Sequence, residues 1–244
     1  MQRFLDKRAL LLILILALMG PVRSLLTGGV SALSDWIVST LIMIPGIIVG
    51  ISFHEFAHAS VAYRCGDPTP KLMGRCTVEP QAHIDPMGII CLLFIGFGWG
   101  KPVVVNPRNF GKERRDSILV GLAGVAMNLL IAFLFGGLLK LLVTVAPGIY
   151  TSSFGHTVFM VFYYVIIINL SLMLFNLLPV PPLDGFGVIT ELFNLKNTQF
   201  YRFVYSNSLV ILLALIILDV PSMLLSRPLS AIAGFITKTV FHIF

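Results

Sequence analysis

The sequence predicts an all-α polytopic membrane protein, and three observations carry that prediction. Of its 244 residues, 57% are hydrophobic and only 11% are charged, whereas a soluble domain carries about 25% charged residues. Mean hydropathy is +0.95. Apolar runs recur at residues 9–20, 36–53, 117–139, 158–178 and 208–220. With their mildly polar flanks, several approach the roughly 20 residues needed to cross a bilayer. The expectation is five or six transmembrane helices in a single domain covering residues 1–244.

The N-terminal "MQRFLDKRALLLILILALMG" has the basic start and apolar run of a signal peptide. The "GPVRSLLTGG" that follows lacks the small-residue cleavage pattern, so it reads as an uncleaved first helix. A second helix, "WIVSTLIMIPGIIVG", runs directly into "ISFHEFAHAS". Next comes "MGIICLLFIGFGWG", about 14 residues and too short to span, which suits a re-entrant hairpin. In "WGKPVVVNPRNF", Val103, Val104 and Val105 form a β-prone run with prolines at both margins, the composition of a short edge strand. Two further long helices follow, around residues 117–139 and 158–178. The stretch 221–244 is apolar with Arg227, Lys238 and His242 spread through it, and fits either a sixth helix or an amphipathic surface segment.

Positive charge sets the predicted orientation. If the first two helices form an up-down pair, 13 of the 17 Lys and Arg residues fall on one side. They are Arg3, Lys7 and Arg8, eight between Arg64 and Arg115, and Lys196 and Arg202. The opposite loop around 147–157 has none. The positive-inside rule makes the basic side cytoplasmic, in what is expected to be the cell (plasma) membrane. The net charge of +6 then reflects topology and contact with anionic lipid. No nucleic-acid motif accompanies it. Cys65, Cys76 and Cys91 form no CxxC pair, and an odd number on a reducing face reads as free thiols.

The chemistry begins at "HEFAH". On a helix His54 and His58 point the same way, about 40° apart, and two neutral imidazoles can fill two positions of a tetrahedral zinc. Glu55 beside them can act as general base. Ionisable side chains in a membrane segment are costly and mark function. Zinc needs a third protein ligand, for which His83, Asp85, His156, Asp184, Glu191 and Asp219 are available. Asp184 stands out because Pro179, Pro181 and Pro182 forbid a regular helix before it, opening the fourth apolar helix where the carboxylate follows. Asp184 can equally serve as N-cap of "FGVITELF".

The pair "HEFAH" and "NLLPVPPLDG", each in an apolar segment, resembles the site-2 protease family of intramembrane zinc metalloproteases. The segments "GDPTPKLMGRCTVEPQAHIDPMG", "GWGKPVVVNPRNF" and "GLAGVAMNLL" resemble its compact members without a PDZ or CBS domain. The likeness covers roughly residues 45–195 and places a catalytic core at about 36–195. It implies one Zn2+ per chain on His54, His58 and Asp184, with Glu55 as catalytic acid/base. It implies further that Asn176 lies near the scissile peptide and that Asn128 belongs to a helix packed against the site. The substrates implied are transmembrane proteins or peptides. The Val103–Val105 edge could receive an unwound substrate by strand addition, and His83 and Asp85 could orient the hairpin entrance or line water access. Two rivals use the same residues differently. One is a membrane protease cutting surface loops with Glu191 as third ligand. The other is a transporter or chaperone-like protein holding the metal structurally.

Overall fold

A computed structural model describes residues 7–95 and 98–243; Arg3, counted toward the cytoplasmic side, lies outside them. The first helix, α1 (Lys7–Arg64), contains one non-helical residue, Gly29, at φ 68° and ψ −156°. Glycine alone visits that region without strain, and the chain reverses there. The Trp36 ring sits so close to Gly20 that a Cβ on the glycine would lie 3.3 Å from it. On a straight helix the two residues would stand about 24 Å apart. α1 is therefore two arms folded on one another, the up-down pair anticipated for residues 9–20 and 36–53.

Three short helices follow, α2 (Thr69–Leu72), α3 (Pro80–His83) and α4 (Pro86–Ile95). α4 runs out along α1, with the Phe94 ring 5.4 Å from that of Trp36. The chain then returns, because Gly100 forms an isolated antiparallel bridge with Ile84 and the Lys101 amide donates to the His83 carbonyl at 2.7 Å. This out-and-back element is the expected hairpin.

The expected edge strand is not formed. Residues 101–106 have no regular secondary structure, and no β-strand occurs among the described residues. Pro102 has no N–H to give, and the Val103 amide is engaged by the Glu55 carboxylate at 2.9 Å. Thus no second segment among the described residues forms a ladder with the valines.

The remaining helices are α5 (Glu113–Val145), α6 (Ser153–Asn176), α7 (Asp184–Leu192), α8 (Gln199–Ser206), α9 (Ser208–Ile217) and α10 (Val220–Gly234), which continues as a π-helix over Phe235–Val240. Among the described residues, four helices are long and apolar enough to cross a membrane: Gly20–Arg64, Glu113–Val145, Ser153–Asn176 and Val220–Val240. α8 and α9, bent by 66°, make a fifth if they act as one span. The C-terminal stretch, ambiguous in the sequence, thus meets the length and apolarity of a span.

α1, α5 and α6 pack together as the centre of the bundle, where Leu139, Ile166 and Leu170 are fully buried. Outward-facing apolar residues such as Leu130, Leu134 and Leu141 are exposed, as a lipid-facing surface requires. α6 ends at Asn176, before Pro179, Pro181 and Pro182, whose missing N–H groups end the helical ladder. The linker turns the chain back so that α7 packs on α5.

Candidate metal centre

The two histidines lie one turn apart on α1 and are buried against α5. Their approach depends on Gly124. A Cβ there would stand 2.5 Å from both His54 Cε1 and His58 Nε2, closer than real Cβ contacts come, so any side chain would push the imidazoles away.

Hydrogen bonds fix what each ring presents. His58 Nδ1 lies 2.7 Å from the Val120 carbonyl oxygen, an acceptor only, so Nδ1 carries the proton and Nε2 its lone pair. For His54 the reasoning passes through two asparagines. Asn169 Nδ2 donates to the Val165 carbonyl at 2.8 Å, which leaves its Oδ1 to accept from Asn128 Nδ2 at 2.9 Å. Asn128 Nδ2 also donates to the Gly50 carbonyl at 3.1 Å. Asn128 Oδ1 must therefore face His54 Nδ1, 2.7 Å away, and His54 donates to it. Both Asn128 and Asn169 are fully buried.

Asp184 arrives at the first turn of α7, where the positive end of the helix dipole favours a carboxylate. Two anchors hold α7 against α5. Val188 packs on Gly121, and the Arg114 guanidinium donates to the carbonyls of Glu191 at 2.8 Å and Leu192 at 2.7 Å. Asp184 Oδ2 then lies 3.2 Å from both His54 Nε2 and His58 Nε2, and the two Nε2 atoms are 3.0 Å apart.

Three lone pairs converge with no proton between them, and Asp184 Oδ2 is buried without a hydrogen-bond partner. That arrangement is repulsive unless a cation sits at its centre. A tetrahedral zinc with bonds of about 2.0–2.1 Å has ligand–ligand edges of about 3.3 Å, close to the spacings found. His54, His58 and Asp184 form the one such metal-ligating cluster among the described residues.

The cluster opens into a cleft of about 480 Å³ lined also by Glu55, Val103, Ser117, Asn176, Gly187 and Glu191. Glu55 Oε2 accepts the Val103 amide at 2.9 Å. Asn176, the last residue of α6, donates from Nδ2 to the Leu172 carbonyl at 3.0 Å.

The other candidate ligands do not join the cluster. His83 is buried with Nε2 2.7 Å from the Thr77 carbonyl. Asp85 caps α4 by accepting the Met87 and Gly88 amides. Glu191 pairs with Lys196 at 2.5 Å, and Asp219 precedes α10 in a left-handed conformation. His156 lies in the first turn of α6, at the opposite end of that helix from Asn176. Cys65, Cys76 and Cys91 are free thiols.

The segment facing Glu55 is anchored by Asp67, a fully buried carboxylate. It accepts the Asn106 amide at 2.7 Å, Asn109 Nδ2 at 2.7 Å, and the Thr69 amide and hydroxyl at 3.1 and 2.6 Å. Burial pushes the Asp67 carboxyl up, but these hydrogen bonds outweigh it and hold the group below the usual carboxylate range.

Residues 139–218 match the pattern described as peptidase family M50. The candidate zinc metalloprotease YwhC of Bacillus subtilis (strain 168) is 45% identical over 147 residues, 60% of this chain and 66% of that protein. The chain belongs to peptidase family M50. Candidate zinc metalloproteases named Rip2 align over 61% of the chain and 56% of their own length. That of Mycolicibacterium smegmatis is 29% identical over 154 residues, and that of Mycobacterium tuberculosis (H37Rv) 32% over 155. The chain thus spans between about half and two thirds of the relatives' length. No solved structure gives a significant match.

The sequence points to His54, Glu55, His58, Asp184 and Asn176. It points to Val103 as part of a substrate-receiving edge but not as the amide that engages Glu55, and it does not point to Asn169, Gly124 or Arg114 as parts of the site. Only Gly124 left a trace, inside the small-residue run "GLAGVAMN".

Proposed function

We propose that this M50 chain is a zinc metalloprotease that cuts peptide bonds within or near transmembrane segments of other membrane proteins. The observation that carries the reading is the convergence of His54 Nε2, His58 Nε2 and Asp184 Oδ2 beside the Glu55 carboxylate, at the head of a cleft. About 15 Å of helix separates His54 from Arg64, which supports a centre lying below the basic edge of the membrane.

A zinc ion held by those three residues would acidify water and polarise a carbonyl. Glu55 takes the proton from the attacking water as its oxygen adds to the scissile carbonyl carbon. It then passes that proton to the departing amine nitrogen. The Val103 amide keeps the carboxylate turned toward the cleft before substrate enters. Asn176 lies at the cleft wall, where its amide can hold the substrate backbone. His54 and His58 keep Nε2 free because Asn128 and the Val120 carbonyl occupy Nδ1.

The basic residues between Arg64 and Arg115, with Lys196 and Arg202, support an orientation with the N-terminus and the active-site end cytoplasmic, in the plasma membrane. A reporter fused at Lys112 tests this. A cytoplasmic signal supports it, and an extracytoplasmic one overturns it.

The decisive test pairs metal analysis with cleavage of transmembrane peptides in detergent. Wild type is expected to hold one zinc per chain and cut. Glu55→Gln should keep zinc and lose cleavage, while Asp184→Asn loses zinc. If Glu55→Gln cuts like wild type, or Asp184→Asn binds zinc undiminished, the reading fails and a structural metal in a binding protein takes its place.

A further inference from the structure

Two residues of the cleft have no internal reason to be what they are. Asp184, Gly187 and Glu191 share one face of α7, spaced i, i+3, i+7, and all three line the cleft. Gly187 is exposed there, and a Cβ added to it would meet nothing within 4 Å. Packing does not require the glycine. No turn requires it either, since its backbone belongs to a regular helix. Glycine weakens a helix interior relative to alanine, so the residue carries a cost that no close contact among the described residues explains.

Ser117 lines the same cleft from the α5 wall. Several helical hydroxyls of the chain close onto the carbonyl one turn back, as Ser171 does onto Ile167 at 2.8 Å, whereas those of Ser52, Ser117 and Thr190 do not. Ser117 Oγ is buried and has no partner. A hydroxyl cut off from water without a replacement bond is unfavourable, and an incoming acceptor would relieve it.

The walls between these positions are apolar, formed by Val105, Phe110, Val120 and Leu183. The Glu191–Lys196 pair also lines the space.

We propose that this space is a specificity subsite for a large apolar side chain, of leucine or phenylalanine type, on a substrate residue beside the cut. Gly187 supplies the room, and Ser117 donates a hydrogen bond to a substrate backbone carbonyl. The inference rests on the protease reading above and adds its selectivity. The residue next to the scissile bond is bulky and apolar, as a transmembrane substrate readily provides. Filling the space at position 187 narrows the enzyme to small residues. Ser117, in contact with backbone only, serves all substrates alike.

The test measures affinity rather than turnover, on the zinc-loaded full chain in detergent. The probes are fluorescent peptide hydroxamates carrying Leu, Phe or Ala beside the chelating group, in two series extending from either side of it. Wild type should bind the Leu and Phe probes of one series about tenfold or more tighter than the Ala probe, the scale of apolar pocket discrimination. Gly187→Leu should keep its zinc and its affinity for the Ala probe but lose that preference, with Gly187→Ala intermediate. Ser117→Ala should weaken all probes of that series by a similar factor.

A wild type that shows no preference in either series, or a Gly187→Leu protein that retains one, overturns the subsite. Unchanged binding by Ser117→Ala overturns the role of that hydroxyl. A zinc-loaded wild type that binds no hydroxamate overturns the protease reading itself, an outcome distinct from binding without selectivity.

Discussion

His54 Nδ1 lies 2.7 Å from Asn128 Oδ1, and this contact decides which imidazole nitrogen is free to meet a metal. The asparagine is itself held by the Gly50 carbonyl and Asn169, so three helices agree on one tautomer. Replacing Asn128 with leucine removes the acceptor and leaves the His54 N–H buried and unpaired. Loss of such outer partners costs about 10- to 100-fold in metal affinity. Zinc competition with a chelator should show a loss of that size for Asn128→Leu. An unchanged zinc affinity would deny the relay any part in holding the ion.

Gly124→Ala separates the metal site from the fold. The added methyl stands 2.5 Å from His54 Cε1 and His58 Nε2, and overpacking of this kind typically costs about 1–3 kcal/mol. Alanine strengthens an α-helix by about 0.8–1 kcal/mol over glycine, which offsets part of that. The expected variant folds and enters the membrane but carries little zinc. Metal analysis beside a melting curve checks it, and full zinc occupancy would show that the imidazoles have slack.

The cluster of candidate ligands was legible because its signals are local. His54 and His58 are four residues apart, and Asp184 follows a run of prolines that no regular helix accepts. The up-down first pair and the short hairpin were legible for a similar reason, since the length of an apolar run limits what it can span. What stayed hidden lies between elements. Asn169 reaches the site only through Asn128, and Gly124 matters only because α5 crosses α1 opposite the histidines. Val103 contributes a backbone amide, which its side chain does not reveal. The strand expected at Val103–Val105 illustrates the same limit. β-propensity suggested a strand, but among the described residues no segment supplies the partner that a ladder needs.

Arg114 offers a test of how α7 is held. Its guanidinium caps the C-terminal carbonyls of the helix that begins with Asp184, where a cation also complements the helix dipole. Hydrogen bonds to charged groups contribute about 1.5–3 kcal/mol, and exposure here favours the lower end. Arg114→Ala should lower the melting temperature modestly and weaken zinc binding without abolishing it, while Arg115→Ala on the next residue leaves zinc binding unchanged. Equal effects of the two substitutions would mean that α7 does not depend on its clamp.

Asp67 gives a prediction with a definite pH signature. Its hydrogen bonds hold the folded-state pKa below the unfolded value of about 3.9. The carboxylate therefore contributes stability that is fully present above the unfolded value and is lost as pH falls through the folded one. Asp67→Asn removes one acceptor oxygen and sets an N–H2 against donors, leaving the Asn106 amide or its neighbours unsatisfied, at a cost of about 1–3 kcal/mol near neutral pH. Melting in detergent should show the variant less stable than wild type at pH 7, with the gap closing below about pH 4 as wild type loses its advantage. The loosened 101–109 segment should also move the Val103 amide off Glu55, so peptide cleavage should fall while zinc content holds. A stability gap that persists undiminished to pH 3 would mean that the charge of Asp67 is not what anchors this segment.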